Sequence, residues 1–170
     1  IYSNNIRSYD FDKDQVVITS GGKPIMFYTM LALINHGDEV LYPNPGFPIY
    51  ESMINFVGGK AVPLKLEEKL GYNFDIDKVE SLINENTKLI ILNSPNNPCG
   101  SAIDAKSMSK LANILENKNI TILSDEIYSQ FLYEGSHSSI SNHKNLSSKT
   151  IILDGFSKSY SMTGWRIGYG

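Results

Sequence analysis

The chain has 170 residues, 41% of them hydrophobic, and a net charge of −3, which suits one globular domain with a substantial core. No basic run exceeds two residues, so neither nucleic acid nor a membrane surface is expected as a partner, and no apolar stretch approaches the roughly 20 residues a membrane span needs. The single cysteine, Cys99, excludes an internal disulfide and fits a reducing compartment, so a cytoplasmic location is expected.

The chain opens on Ile1 and stops at Gly170, just after an apolar stretch begins, and reads as a fragment of a longer protein. Residues 1–15 are polar, with a turn at DFDKDQ. Val16 to Thr19 is a short β-branched strand. SGGKP follows and opens a helix whose apolar face is Ile25, Phe27, Tyr28, Leu31 and Ile34, with Pro24 at its start and His36-Gly37-Asp38 at its end. Glu39 to Tyr42 is a second strand, followed by the loop PNPGFP and a short helix from Pro48 to Val57 that Gly58-Gly59 stops. Lys60 to Leu64 is a third strand. A polar stretch crosses to a helix from Asp77 to Asn84, with Val79, Leu82 and Ile83 on one face. Lys88 to Leu92 is a strong strand that runs into the turn-rich NSPNNPCG. The helix Asp104 to Asn117 buries Ala105, Met108, Leu111, Ala112 and Leu115. Ile120 to Leu123 is a strand ending at SDEIY. A polar linker, residues 135–149, leads to the strand Thr150 to Leu153 and to the closing stretch GFSKSYSMTGWRIGYG.

This alternation predicts an α/β fold with a mostly parallel sheet and helices on both faces. Right-handed crossovers then bring the carboxyl ends of the strands to one edge, where such sheets bind ligands. SGGKP, PNPGF, NSPNNPCG, SDEIY and GFSK each follow a strand end. Their convergence is the main argument for a site.

Each motif is weak alone. Gly22 and Lys23 open a helix whose free N–H groups make an anion site, although a glycine pair before a helix is more often only a turn. Asp125 at a strand end could fix a protonated ring nitrogen or merely cap a turn. Tyr128 alone would be a packing residue. Asn97 lies in a proline-bracketed loop where its amide is either a donor or a turn stabiliser, and Phe47 either lies against a planar ring or packs in the core. Lys158, among small residues after a strand, is placed as an amine nucleophile. Arg166 suits a fixed phosphate. Together they describe a site for a planar, phosphorylated aldehyde cofactor, and pyridoxal 5'-phosphate has those handles. No metal site is expected.

In order and at these separations, VVITSGGKP, YPNPGFPIY, NSPNNPCG, SDEIY and FSKSYSMTGWRIGY resemble the large domain of the class I/II aminotransferases, fold-type I pyridoxal phosphate enzymes similar to the aspartate aminotransferases. The resemblance implies a three-layer α/β/α domain over residues 1–170, an incomplete large domain without its N-terminal arm and C-terminal small domain. It implies Lys158 as the Schiff-base lysine and Arg166 as the phosphate-binding arginine. Asp125 and Tyr128 would hold the pyridine nitrogen and the ring oxygen, Asn97 would share that oxygen, and Phe47 would stack on the ring. Gly22 and Lys23 would give backbone donors to the phosphate. The implied activity moves an amino group between an amino acid and a 2-oxo acid in a homodimer. A related pyridoxal phosphate lyase or decarboxylase, or the cofactor-binding sensor domain of a transcription regulator, would share the same residues. Two positions depart from the family pattern. Gly155 stands where many relatives have a serine, and Cys99 where threonine is usual.

Overall fold

The computed structural model describes Arg7 and residues 11–170. Its strands are β1 (Ile18–Ser20), β2 (Glu39–Asn44), β3 (Lys60–Glu67), β4 (Asn73–Phe74), β5 (Thr87–Asn93), β6 (Thr121–Asp125), β7 (Thr150–Gly155) and β8 (Ile167–Tyr169). They form one 8-stranded sheet in the order β1-β8-β7-β6-β5-β2-β3-β4. The interior of the sheet is parallel, from β3 through β2, β5 and β6 to β7. β8 runs antiparallel to β7 and β1 antiparallel to β8. Two reversals return β1 to the direction of β7, so its carboxyl end joins the same edge as the others. The polar residues Asp12 to Gln15 form the expected turn, a short 3-10 helix closed by a capping box.

The helices are α1 (Lys23–Leu33), α2 (Ile49–Phe56), α3 (Ile76–Leu82), α4 (Ala105–Glu116) and α5 (Lys144–Ser147). Side chains alternate across a strand, and β5 shows the result. Leu89 and Ile91 pack with Ile25, Met30, Tyr50 and Ile54 of α1 and α2, whereas Ile90 and Leu92 pack with Val79, Met108 and Leu111 of α3 and α4. A strand apolar on both faces belongs in the covered centre of a parallel sheet. Asp75 and Asp104 cap α3 and α4 by accepting from the N–H groups of Asp77 and of Lys106 and Ser107, which satisfies donors those helices would otherwise leave open.

Three local expectations need correction. The buried side of α1 is Ile25, Met26, Thr29 and Met30, while Tyr28 and Leu31 are more than half exposed. The helix is apolar nearly all round, so its periodicity does not choose a face. The contact of Gly22 with Leu153, which a Cβ on Gly22 would approach to 2.9 Å, turns Ile25 and Met26 inward. Ala105 lies at the exposed start of α4 rather than on its buried side. Residues 135–149 are more than a polar linker. They contain a 3-10 turn (Ile140–Asn142) and α5, and they bury Ile140, Leu146, Ser139 and Ser141. Serine hydroxyls read as solvent-facing from sequence, but here Ser139 donates to the buried carboxylate of Glu126.

The chain leaves β2 for β3 on one side and returns to β5 on the other. This reversal opens a crevice outside the carboxyl ends of β2 and β5, the place where doubly wound sheets bind ligands.

Candidate active site

A cavity of about 340 Å3 occupies that crevice, and Gly22, Lys23, Phe47, Asn97, Asp125, Tyr128, Lys158 and Arg166 all line it. A larger hollow of about 710 Å3 lies along β1, β7 and β8, but no Asp or Glu among the described residues lines it. The smaller cavity has the convergent polar groups, which is the stronger mark of a site.

Asp125 ends β6 and is 2% exposed. The Tyr50 hydroxyl donates to its Oδ2 at 2.5 Å, and the N–H of Ile127 donates to Oδ1 at 3.3 Å. Burial pushes this carboxyl up to about 6. The Tyr50 and Ile127 hydrogen bonds oppose the rise, and the charges of Asp154 and Glu126 add to it. Burial also raises the Tyr128 phenol, with Asp125's charge adding. Phe47 is half-buried, its ring edge-on to Tyr50 at 5.8 Å between centroids, so it both packs and lines the cavity.

Asn93 ends β5 and does two jobs. Its Nδ2 donates to the Asp125 carbonyl at 3.2 Å, and its Oδ1 accepts from the Asn97 N–H at 2.8 Å. One buried amide thus ties the NSPNNPCG loop to the strand that carries Asp125.

On the opposite wall, no side chain caps the start of α1 at Gly22, and open N–H groups at a helix start favour an anion. Gly21 has φ +80°, a conformation that suits glycine. A Cβ there would lie 2.2 Å from Arg166 Nη2, so the guanidinium crosses a space only glycine leaves open. Arg166 Nη1 donates to the Thr163 carbonyl at 2.9 Å, and the Arg166 carbonyl accepts from the Gly21 N–H at 3.0 Å. Arg166 and Ser161 themselves have φ of +52° and +54°, a strained region for residues with side chains that recurs at functional sites. Lys158 lies just before Ser161, in an exposed turn.

The family model for aminotransferase class I and II matches residues 2–170. The chain belongs to the class I and II aminotransferase family. It is 42% identical over 160 residues to a probable aspartate aminotransferase of Methanocaldococcus jannaschii, covering 94% of this chain and 41% of that protein. It is 41% identical over 162 residues to the (5-formylfuran-3-yl)methyl phosphate transaminase of the same organism, covering 94% of this chain and 40% of that protein. Its backbone superposes on an aspartate aminotransferase variant of Thermus thermophilus with a TM-score of 0.93 at 32% identity, covering 98% of this chain and 43% of that one. The chain therefore spans about two-fifths of the length of the relatives it matches.

The fold explains one of the two departures from the family pattern, Gly155. A Cβ on Gly155 would lie 2.9 Å from the Ile167 carbonyl oxygen and 3.0 Å from Gly168 Cα, so β8 leaves no room for serine. Cys99 donates its N–H to Asn96 Oδ1 at 3.1 Å, so Asn96 closes the local turn.

Tyr50, Asn93 and the partners of Glu126 were not singled out from sequence. Tyr50 had a signal, since it lies three residues after Phe47 in a predicted helix. Asn93 had a weaker one as the first residue of NSPNNPCG. Arg7 had none. Among the described residues, no group of three or more His, Cys, Asp or Glu side chains could hold a metal ion.

Proposed function

We propose that this chain is the cofactor-binding large domain of a pyridoxal phosphate-dependent aminotransferase that moves an amino group between an amino acid and a 2-oxo acid. The observation that carries the reading is Asp125, a buried carboxylate that accepts from two donors among the described residues, set in a cavity whose other wall holds Lys158, Arg166 and an uncapped helix start. Such a carboxylate suits a cationic ring nitrogen, and the opposite wall suits an anion. The donor set therefore fits both ends of the cofactor.

When bound, pyridoxal phosphate supplies an aldehyde carbon for a substrate amine and a ring that accepts electrons from the breaking Cα–H bond. The start of α1 at Gly22 and Lys23 would hold the phosphate together with the Arg166 guanidinium. Asp125 would accept the ring N–H and keep that proton in place. Tyr128 and Asn97 would donate to the ring oxygen, and Phe47 would cover a ring face. Lys158 Nζ would bond the cofactor at rest and, once displaced, take the proton from the substrate Cα and return it. Tyr50 and Asn93 orient Asp125 and Asn97 without needing to touch the ligand.

The two relatives from one organism match this chain almost equally, and their names give different activities. We therefore assign no particular amino acid to this region. A homodimer in the cytoplasm is part of the proposal. It is compatible with the lack, among the described residues, of a helix long and apolar enough to cross a membrane.

The test uses the purified full-length protein with pyridoxal phosphate. The wild type should show visible absorbance from cofactor bonded to Lys158 and should release a 2-oxo acid from an amino acid. Lys158→Ala should lose that absorbance and at least about 10⁴-fold in turnover, the upper range for a general acid–base group. Absorbance that persists in Lys158→Ala removes the lysine from its role. Wild-type absorbance without amino-group transfer favours the lyase or sensor reading.

A further inference from the structure

A buried ionic cluster lies behind the site, and the chemistry above does not use it. Arg7 donates from Nε to Glu126 Oε2 and from Nη2 to Asp154 Oδ2, each at 2.8 Å, with all three side chains at 0% or 1% exposure. Glu126 directly follows Asp125 at the end of β6. Asp154 is the next-to-last residue of β7, whose continuation carries Lys158. One guanidinium therefore bridges the two strand ends that supply the site's carboxylate and its lysine.

We propose that Arg7 is a positioning residue of this site: by pairing with Glu126 and Asp154 it fixes the ends of β6 and β7 against each other and balances the charge behind Asp125, so that Asp125 meets its ligand as a carboxylate.

Three carboxylates, Asp125, Glu126 and Asp154, are buried at adjacent strand ends. Like charges in one dry site raise each other's proton affinity, and a nearby cation lowers it. The groups facing Asp125 are Tyr50 from α2, Tyr128 and Glu126 from the segment after β6, and Asp154 from β7. Lys158 and Arg166 line the far side of the cavity. Arg7 is paired with both of the carboxylates that push Asp125 upward. Without it, Glu126 would keep His137, Ser124 and Ser139, and Asp154 would keep Tyr169 and the Gly155 N–H. None of these replaces the fixed charge of the guanidinium. The unbalanced negative charge would then raise Asp125, and a protonated Asp125 offers no anion to a cationic ring.

The proposal rests on the cofactor reading only for its purpose, so its test has a readout independent of that reading. The carboxyl carbon of Asp125 is followed by 13C NMR against pH in the cofactor-free full-length protein. In Arg7→Met its midpoint should move up by about one pH unit or more, the lower end of what one adjacent charge does. In Arg7→Met with Asp154→Asn, where one charge of each sign is removed, the midpoint should return close to the wild-type value. A folded Arg7→Met with an unmoved midpoint, or a double variant as displaced as the single one, overturns the proposal. If Arg7→Met does not fold, Arg7→Lys decides. It keeps the charge and loses the fork, so it should melt earlier with its midpoint unmoved, and a midpoint raised by about one pH unit overturns the proposal. With pyridoxal phosphate added at pH 7, Arg7→Met should bind it about ten-fold more weakly. A wild-type protein that binds no pyridoxal phosphate would sink the cofactor reading and leave the NMR result on Arg7 standing.

Discussion

Asp125 and Glu126 are neighbours in sequence, equally buried, and opposite in behaviour. Burial pushes Asp125 up to about 6, and its two hydrogen bonds do not undo this. Burial would push Glu126 up as well, but the His137 hydrogen bond, the charges of Arg7 and His137 and the Ser139 hydroxyl hold it down to about 2. The two residues face different regions. Asp125 faces the cavity, and among the described residues two donors reach its carboxylate. Glu126 faces a closed polar cluster, where both of its oxygens are taken. A carboxylate with all its partners supplied by the protein serves the fold. One left short of partners is available to a ligand, and perturbed groups of that kind concentrate at functional sites.

The largest expected effect lies on the side of Glu126. Glu126→Ala takes from the Arg7 guanidinium its Glu126 partner, and removing one partner from a buried ion pair costs about 3–5 kcal/mol. Urea unfolding of the full-length protein should show that loss, and a change below about 1 kcal/mol would mean that the cluster is not dry. Asp125→Asn should behave in the opposite way. It removes a buried charge with few partners, so stability at pH 7 should hold or rise, while turnover falls about 10²- to 10³-fold, the usual effect of losing one electrostatic partner in a site. Loss of both stability and turnover in Asp125→Asn would erase the distinction between the two carboxylates.

The cavity wall was legible in sequence and the cluster behind it was not. All eight predicted site residues line one cavity because each motif directly follows a strand, and a parallel sheet delivers strand ends to one edge whatever the details of packing. Strands such as β5 and β6 were legible for the same reason, since a short run apolar on both faces fits only the middle of such a sheet. The face of α1 was not legible, because a helix apolar all round has no preferred side until its neighbours are known. The Arg7 cluster depends on contacts across 119 and 147 residues, and no local pattern marks an arginine as buried. Ser139 and His137 lie in a stretch that reads as solvated, and the carboxylate of Glu126 binds both of them.

The smallest expected effect tests how the cavity side is tuned. The folded Asp125 carboxyl titrates near 6 rather than at its ordinary 3.8. Between those values the folded chain keeps a proton that the unfolded chain has released, so stability falls as pH rises from about 4 to 6. The displacement of about two pH units corresponds to roughly 3 kcal/mol for a group this buried. Glu126 works in the other direction. Its contribution is present above pH 4.5 and is lost as pH falls toward 2. The cofactor-free wild type minus Asp125→Asn should isolate the first slope. Tyr50→Phe removes the main donor to Asp125 Oδ2, a hydrogen bond to a charged group worth about 1.5–3 kcal/mol. Asp125 should then stay protonated to higher pH, so the decline in stability should continue above pH 6. A decline that still ends at pH 6 in Tyr50→Phe would show that the phenol plays no part in setting the proton affinity of Asp125.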